Sequence, residues 1–80
     1  MKLTIITPDK AVFDGDVTSV TVPGTAGSFE VLENHAPIVS TLDDGKIIIR
    51  NGKSEEVITI IGGVVEVIEN KITVLAEGIA

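Results

Sequence analysis

Cysteine, tryptophan and tyrosine are absent from this chain, histidine occurs once and phenylalanine twice. Without cysteine there are no disulfides, no thiolate metal sites and no sulfur nucleophile. A single histidine, His35, supplies no pair of imidazoles at ligand spacing. Basic charge is also scarce: six Lys and Arg stand against twelve Asp and Glu, for a net charge of −6. Phosphate-binding surfaces need clustered cations, so nucleic acid is not expected as a partner. The same balance argues against adsorption to anionic lipid, and no direct insertion into a bilayer is expected. No apolar run approaches the roughly 20 residues of a membrane-spanning helix. The apolar stretch after Met1-Lys2 is too short for a secretory signal. The expectation is a soluble, cytoplasmic protein, and a length of 80 residues sets one domain, 1–80.

What the chain does have is branched side chains. Nearly two residues in five are Val, Ile or Thr, which suit a pleated sheet better than a helix. Gly, Pro, Asn and Asp punctuate them at short intervals, the pattern of an all-β sandwich or barrel. Strands are expected over 3–6, 11–13, 17–22, 28–32, 38–42, 46–50, 55–61, 64–68 and 71–76. Asp14-Gly15-Asp16, Pro23-Gly24, Asp43-Asp44-Gly45, Asn51-Gly52, Gly62-Gly63 and Glu69-Asn70 separate them. Asn51-Gly52 is the strongest hairpin signal of the set. Residues 64–77 also fit a helical face, but their β-branched content and the central Asn70 favour two strands. The mean hydropathy is positive, +0.44, despite the near absence of aromatics. A domain this small with that composition is expected to carry one face not meant for water.

Reactive constellations are thin. Ser40, His35 and Asp43 or Asp44 supply the residue types of a nucleophilic triad, but Ser40 falls inside a strand pattern and not on a sharp turn. Asp14-Gly15-Asp16 lacks the long acidic loop of a calcium hand. Gly24, Gly27 and Gly62-Gly63 precede no helix whose N-terminus would hold a phosphate. No catalytic residue, metal site or cofactor is therefore expected. Asp9-Lys10-Ala11 resembles the turn that carries lipoyl on small acidic β domains, which leaves a carrier domain modified on Lys10 as an alternative. A β-sandwich adaptor with an apolar docking face is another. His35 reads as a loop residue whose ring bonds a nearby carbonyl, and Pro37 holds Ala36 extended at the entry to the next strand.

Residues 13–50, "FDGDVTSVTVPGTAGSFEVLENHAPIVSTLDDGKIIIR", followed by 60–77, "IIGGVVEVIENKITVLAE", carry a further signal. Phe13 with Gly15, the Pro/Gly loop before Phe29, His35-Ala36-Pro37, Gly45, Gly62-Gly63-Val64 and Val74-Leu75-Ala76 occur in an order that resembles the epsilon subunits of F-type ATP synthases. The resemblance covers nearly the whole chain. It implies a flattened antiparallel β-sandwich of about ten short strands. It also implies a non-catalytic subunit of the central stalk, or rotor, coupling the gamma subunit to the membrane c-ring during proton-driven ATP synthesis. The alpha/beta catalytic head would be reached only indirectly. The site would be the cytoplasmic face of the bacterial inner membrane, with the subunit a peripheral part of the complex.

Carried across by position, the c-ring contact comprises Ala26, Gly27, Ser28, Phe29, Glu30 and His35. The gamma contact comprises His35, Ala36, Pro37, Ile38 and Ser40. The family often has acidic residues where Ala26 and Ser28 stand; Glu30 and Glu33 are expected to supply that charge. Many members continue into a C-terminal helical hairpin that extends along gamma, blocks hydrolysis and in some cases binds ATP. Ala80 falls where that hairpin would begin, so no C-terminal helices, no inhibitory arm and no nucleotide-binding site are expected.

Overall fold

Regular structure in this chain is all strand; a computed structural model describes residues 1–80 and contains no helix. The eight strands are β1 (Lys2–Ile6), β2 (Ala11–Asp16), β3 (Ser19–Val22), β4 (Phe29–Val31), β5 (Ile38–Leu42), β6 (Gly45–Asn51), β7 (Ser54–Ile68) and β8 (Lys71–Ile79). The window 64–77 is the end of β7 and most of β8, as its branched residues require. With no helix there is none long and apolar enough to cross a membrane.

Pairing runs β2-β1-β8-β7-β6-β3-β4, with β5 added on β7. β7 belongs to both halves of the slab. Its first part, up to Ile60, pairs with β6, and residues 63–67 pair with β5. One layer is thus β2-β1-β8-β7-β5 and the other β4-β3-β6-β7. All pairs are antiparallel except β1 with β8. Between the layers lies one apolar cluster including Leu3, Ile5, Val20, Val31, Ile47, Ile60, Val65, Val67, Ile72 and Val74. Extents of 26 × 24 × 18 Å match two sheets about 10 Å apart with their side-chain coats. The slab is flattened, as expected.

Gly62-Gly63 was expected to separate two strands, and instead it bends one. Both residues have positive φ, +51° and +140°, which L side chains rarely adopt. A Cβ on Gly63 would strike the Leu75 carbonyl of β8. Glycine therefore lets β7 turn from one layer into the other without leaving its ladder with β8. Counting separately the halves of β7 and β8 on either side of this bend brings the strand number to about the ten of such a sandwich.

Asp14-Gly15-Asp16 shows a second difference: it continues β2 and does not turn. Lys2, Leu3 and Thr4 of β1 lie opposite these residues, and the Lys2 ammonium is 3.6 Å from Asp14 Oδ1. A paired strand satisfies backbone groups that a turn would leave to water. The chain turns instead at Val17-Thr18, where Thr18 N and Oγ1 both donate to the Arg50 carbonyl, at 2.7 and 3.0 Å. Glu69 and Asn70 have φ of +48° and +61°, the pair of left-handed residues of a type I′ hairpin.

Candidate docking surfaces

The two ends of the slab are built differently. At one end Gly24 is buried and bridges to Leu42 of β5. Thr25 N donates to the Thr41 carbonyl at 3.0 Å, the two threonine hydroxyls are 2.7 Å apart, and Asp43 N donates to the Pro23 carbonyl at 2.8 Å. Gly24 has no room for a side chain: a Cβ would lie 2.7 Å from the Gly27 carbonyl oxygen and 2.9 Å from the Phe29 ring. The loop 24–28 is thereby pressed onto the end of β5. Ala26, Gly27 and Ser28 form its exposed tip, while Phe29 turns inward against the core.

Of the residues expected to face the c-ring, the structure groups Ala26, Gly27 and Ser28, with Phe29 as their anchor. Glu30 lies on the outer face of its sheet, where Arg50 is held between Glu30 at 3.6 Å and Glu55 at 3.2 Å. His35 and Glu33 lie at the opposite end, beyond the far end of β4. The acidic groups beside the loop tip are Asp43 and Asp44, both exposed. Glu77 joins them, since its carboxylate and that of Asp44 both approach Gly62. The Leu42-Asp43-Asp44-Gly45 turn signal marks these aspartates in the sequence, but only the Gly24–Leu42 bridge puts them against residues 26–28.

The other end gathers Met1, Val17, Thr18, Glu33 and the β7–β8 turn. Here Asn34 N donates to Asn70 Oδ1 at 2.6 Å, and Asn70 Nδ2 donates to Asn34 Oδ1 at 3.2 Å. Both asparagines are left-handed, with φ of +66° and +61°. This reciprocal amide pair fixes the segment leading to His35. The His35 ring donates from Nδ1 to the Ala36 carbonyl at 2.7 Å, the local bond expected of it. Ser40 Oγ donates to the Thr41 carbonyl at 3.1 Å, so each of these two polar side chains is engaged with its own neighbour. Lys10 sits on the exposed β1–β2 turn, whose backbone is tied by Thr7: Thr7 Oγ1 donates to the Lys10 carbonyl and accepts from Lys10 N.

Among the residues expected to face gamma, Ala36 and Pro37 are exposed. Ile38 and Ser40 lie opposite Val67 and Val65, two buried core residues, so both point inward and are half-buried. The outward residues of β5 are Val39, 69% exposed, and Thr41. Register then extends this surface across the layer. Thr41 lies opposite Val64, Val64 opposite Leu75, and Leu75 opposite Ile6. Ile6, Leu75 (53%), Val64 and Val39 are all exposed. A row of apolar side chains thus crosses β1, β8 and β7 on one outer face and meets Thr41 on β5, with Val39 two residues along that strand, opposite Glu66. Sequence reasoning anticipated an apolar face but not its members, because the strings IVSTL and VVEVI are apolar at both parities.

The same slab occurs in solved structures. A chain in the Tetrahymena thermophila mitochondrial ATP synthase central stalk and c-ring structure superposes with a TM-score of 0.84 at 19% identity, covering 99% of this chain and 64% of that one. A chain in the Euglena gracilis mitochondrial ATP synthase structure gives 0.90 at 21% identity, covering 98% and 51%. At these identities the likeness is one of fold. Sequence carries it further. An ATP synthase epsilon chain of Leptospira interrogans is 42% identical over 77 residues, covering 96% of this chain and 61% of the relative. That of Sulfurovum sp. is 47% identical over 79 residues, covering 98% and 62%. The family profile for the ATP synthase delta/epsilon chain β-sandwich domain matches residues 1–80. The chain belongs to that family, and it spans about three fifths of the length of these relatives.

Proposed function

We propose that residues 1–80 act as one rigid, non-catalytic domain of an ATP synthase central stalk, joining the gamma subunit to the c-ring. The observation that carries this reading is the exposed apolar row Ile6–Leu75–Val64 with Val39, on a domain of the delta/epsilon family. A stable interface hides about 800 Å² per partner, roughly a sixth of the 4624 Å² surface here. That is within the reach of one sheet face, and gamma is the partner assigned to it. His35, Ala36 and Pro37 border the same face, and Ile38 and Ser40 brace it from inside. The c-ring is assigned to the end formed by Ala26, Gly27 and Ser28, with Asp43, Asp44 and Glu77 as its negative charge. Charge at that tip orients the domain toward basic groups on the ring and contributes register more than affinity.

Rigidity follows from construction. Branched side chains with few rotamers fill a close-packed core between two hydrogen-bonded layers, and torque passes through such a body without being absorbed. The location that fits is the cytoplasmic face of the membrane holding the c-ring. Co-purification tests the reading: the tagged protein, drawn from membranes of its own host, brings down gamma and the alpha/beta head. Recovery of the protein alone, from membranes that contain an assembled synthase, would overturn it.

A further inference from the structure

Asn51-Gly52 carries chemistry that docking does not use. In an Asn-Gly sequence the glycine backbone nitrogen, once deprotonated, attacks the asparagine side-chain carbonyl carbon. A carbon–nitrogen bond forms, the side-chain amide bond breaks, and ammonia leaves a five-membered succinimide. Water then opens the ring at either carbonyl, giving aspartate or isoaspartate. No enzyme, oxidant or cofactor is required. Glycine favours the reaction because no side chain shields its nitrogen, and around Gly52 nothing lies within 4 Å of where a Cβ would stand. Asn51 and Gly52 are both exposed at the β6–β7 turn.

The nucleophile, however, is held. Gly52 N donates to Thr18 Oγ1 at 3.2 Å. The Thr18 hydroxyl in turn donates to the Arg50 carbonyl at 3.0 Å, and Thr18 N donates to the same carbonyl at 2.7 Å. Residue 18 therefore grips the residues on both sides of Asn51. Asn51 itself is the last paired residue of β6, opposite Ser54, so its backbone is held in the ladder and is not free to rotate toward ring closure. Deprotonating Gly52 N costs a hydrogen bond, and closing the ring requires the turn to detach from the β2–β3 corner.

We propose that Asn51 is a site of spontaneous deamidation whose rate is set by the Thr18 clamp. Opening of the clamp exposes the reactive pair. The product places a carboxylate in the cleft lined by Phe13, Asp16, Ile49, Ser54, Glu55 and Glu56. Three carboxylates already lie there, so like-charge repulsion works against the turn re-docking. Isoaspartate goes further, because the backbone then runs through an extra methylene and the Asn51–Ser54 pairing is lost. The site thus registers the fraction of time this corner spends open.

The test is incubation of the 80-residue protein at 37 °C and mildly alkaline pH, followed by peptide mass spectrometry. Exchange of the amide NH2 for OH is followed at Asn51, with Asn34 and Asn70 as internal references. Thr18→Ser keeps the hydroxyl and is expected to react at the wild-type rate. Thr18→Val keeps the shape and loses the acceptor; it is expected to deamidate several-fold faster at Asn51 and unchanged at Asn34 and Asn70. Equal rates for wild type and Thr18→Val overturn the proposal. If Thr18→Val fails to fold, amide exchange in the wild type decides: Gly52 N–H protected more strongly than its turn neighbour Lys53 supports the clamp, and equal protection removes it.

Discussion

Asn70 does three things at once, and each has a separable cost. Its φ of +61° is a conformation that asparagine tolerates and most residues do not. Its amide accepts from Asn34 N and donates to Asn34 Oδ1, and its carbonyl accepts from Lys2 N at 3.0 Å. Asn70→Gly keeps the backbone and loses only the amide pair, which is expected to cost about 1 kcal/mol. Asn70→Ala adds the left-handed strain, for a total of about 2–3 kcal/mol. Urea denaturation of the two variants reads the difference. Equal midpoints would mean the turn relaxes and the strain is not borne at this residue. Against a whole-domain stability of about 4–12 kcal/mol for this length, the alanine variant is the one expected to be visibly weakened. His35, the residue after Asn34, owes its placement to this pair. Nothing in the string ENHAP announces that Asn34 and Asn70 meet, because they are 36 residues apart and the bond exists only once both layers are formed.

At the scale of elements, β5 separates fold from docking. Ile38 packs against the core and Val39 faces outward on the same strand. A charge at Ile38 is expected to cost about 2 kcal/mol or more, because it enters a half-buried apolar position. A charge at Val39 leaves stability within about 1 kcal/mol. Binding is expected to divide the other way: Val39→Lys lowers affinity for purified gamma by about tenfold or more, as loss of an apolar anchor does. Calorimetric titration with gamma, beside a thermal melt of each variant, checks both halves. Unchanged affinity of Val39→Lys would move the gamma contact off this face. Alternation alone could not make this assignment. IVSTL reads as a strand, but which parity faces inward is decided by pairing of Ile38 and Ser40 with the buried Val67 and Val65.

For the molecule as a whole, charge and shape act together. A net charge of −6, with Asp43, Asp44 and Glu77 gathered at one end, sets up a field that reaches across a gap before contact. Such steering accelerates association and is screened when the Debye length falls from about 30 Å at low salt to about 8 Å at physiological salt. The association rate with isolated c-ring, measured by stopped flow, is expected to fall by about tenfold over that range. Asp43→Lys with Asp44→Lys is expected to flatten the dependence. A rate indifferent to salt would show that the acidic end does not meet the ring.

Composition and punctuation were enough to specify the all-β class, most strand positions, the hairpin at Asn70 and the family resemblance. Those properties are local or additive: a branched side chain prefers a pleated backbone wherever the chain later goes. Two local readings failed for one physical reason. Asp14-Gly15-Asp16 and Gly62-Gly63 look like breaks when read alone, yet a neighbouring strand satisfied their backbone groups and held them in the ladder. Tertiary structure alone decided the rest: the side of β5 that faces solvent, the row from Ile6 to Val64, the separation of His35 from residues 26–28, and the approach of Asp44 and Glu77 to Gly62. Each depends on contacts between distant segments, and no single stretch of sequence contains both partners of such a contact.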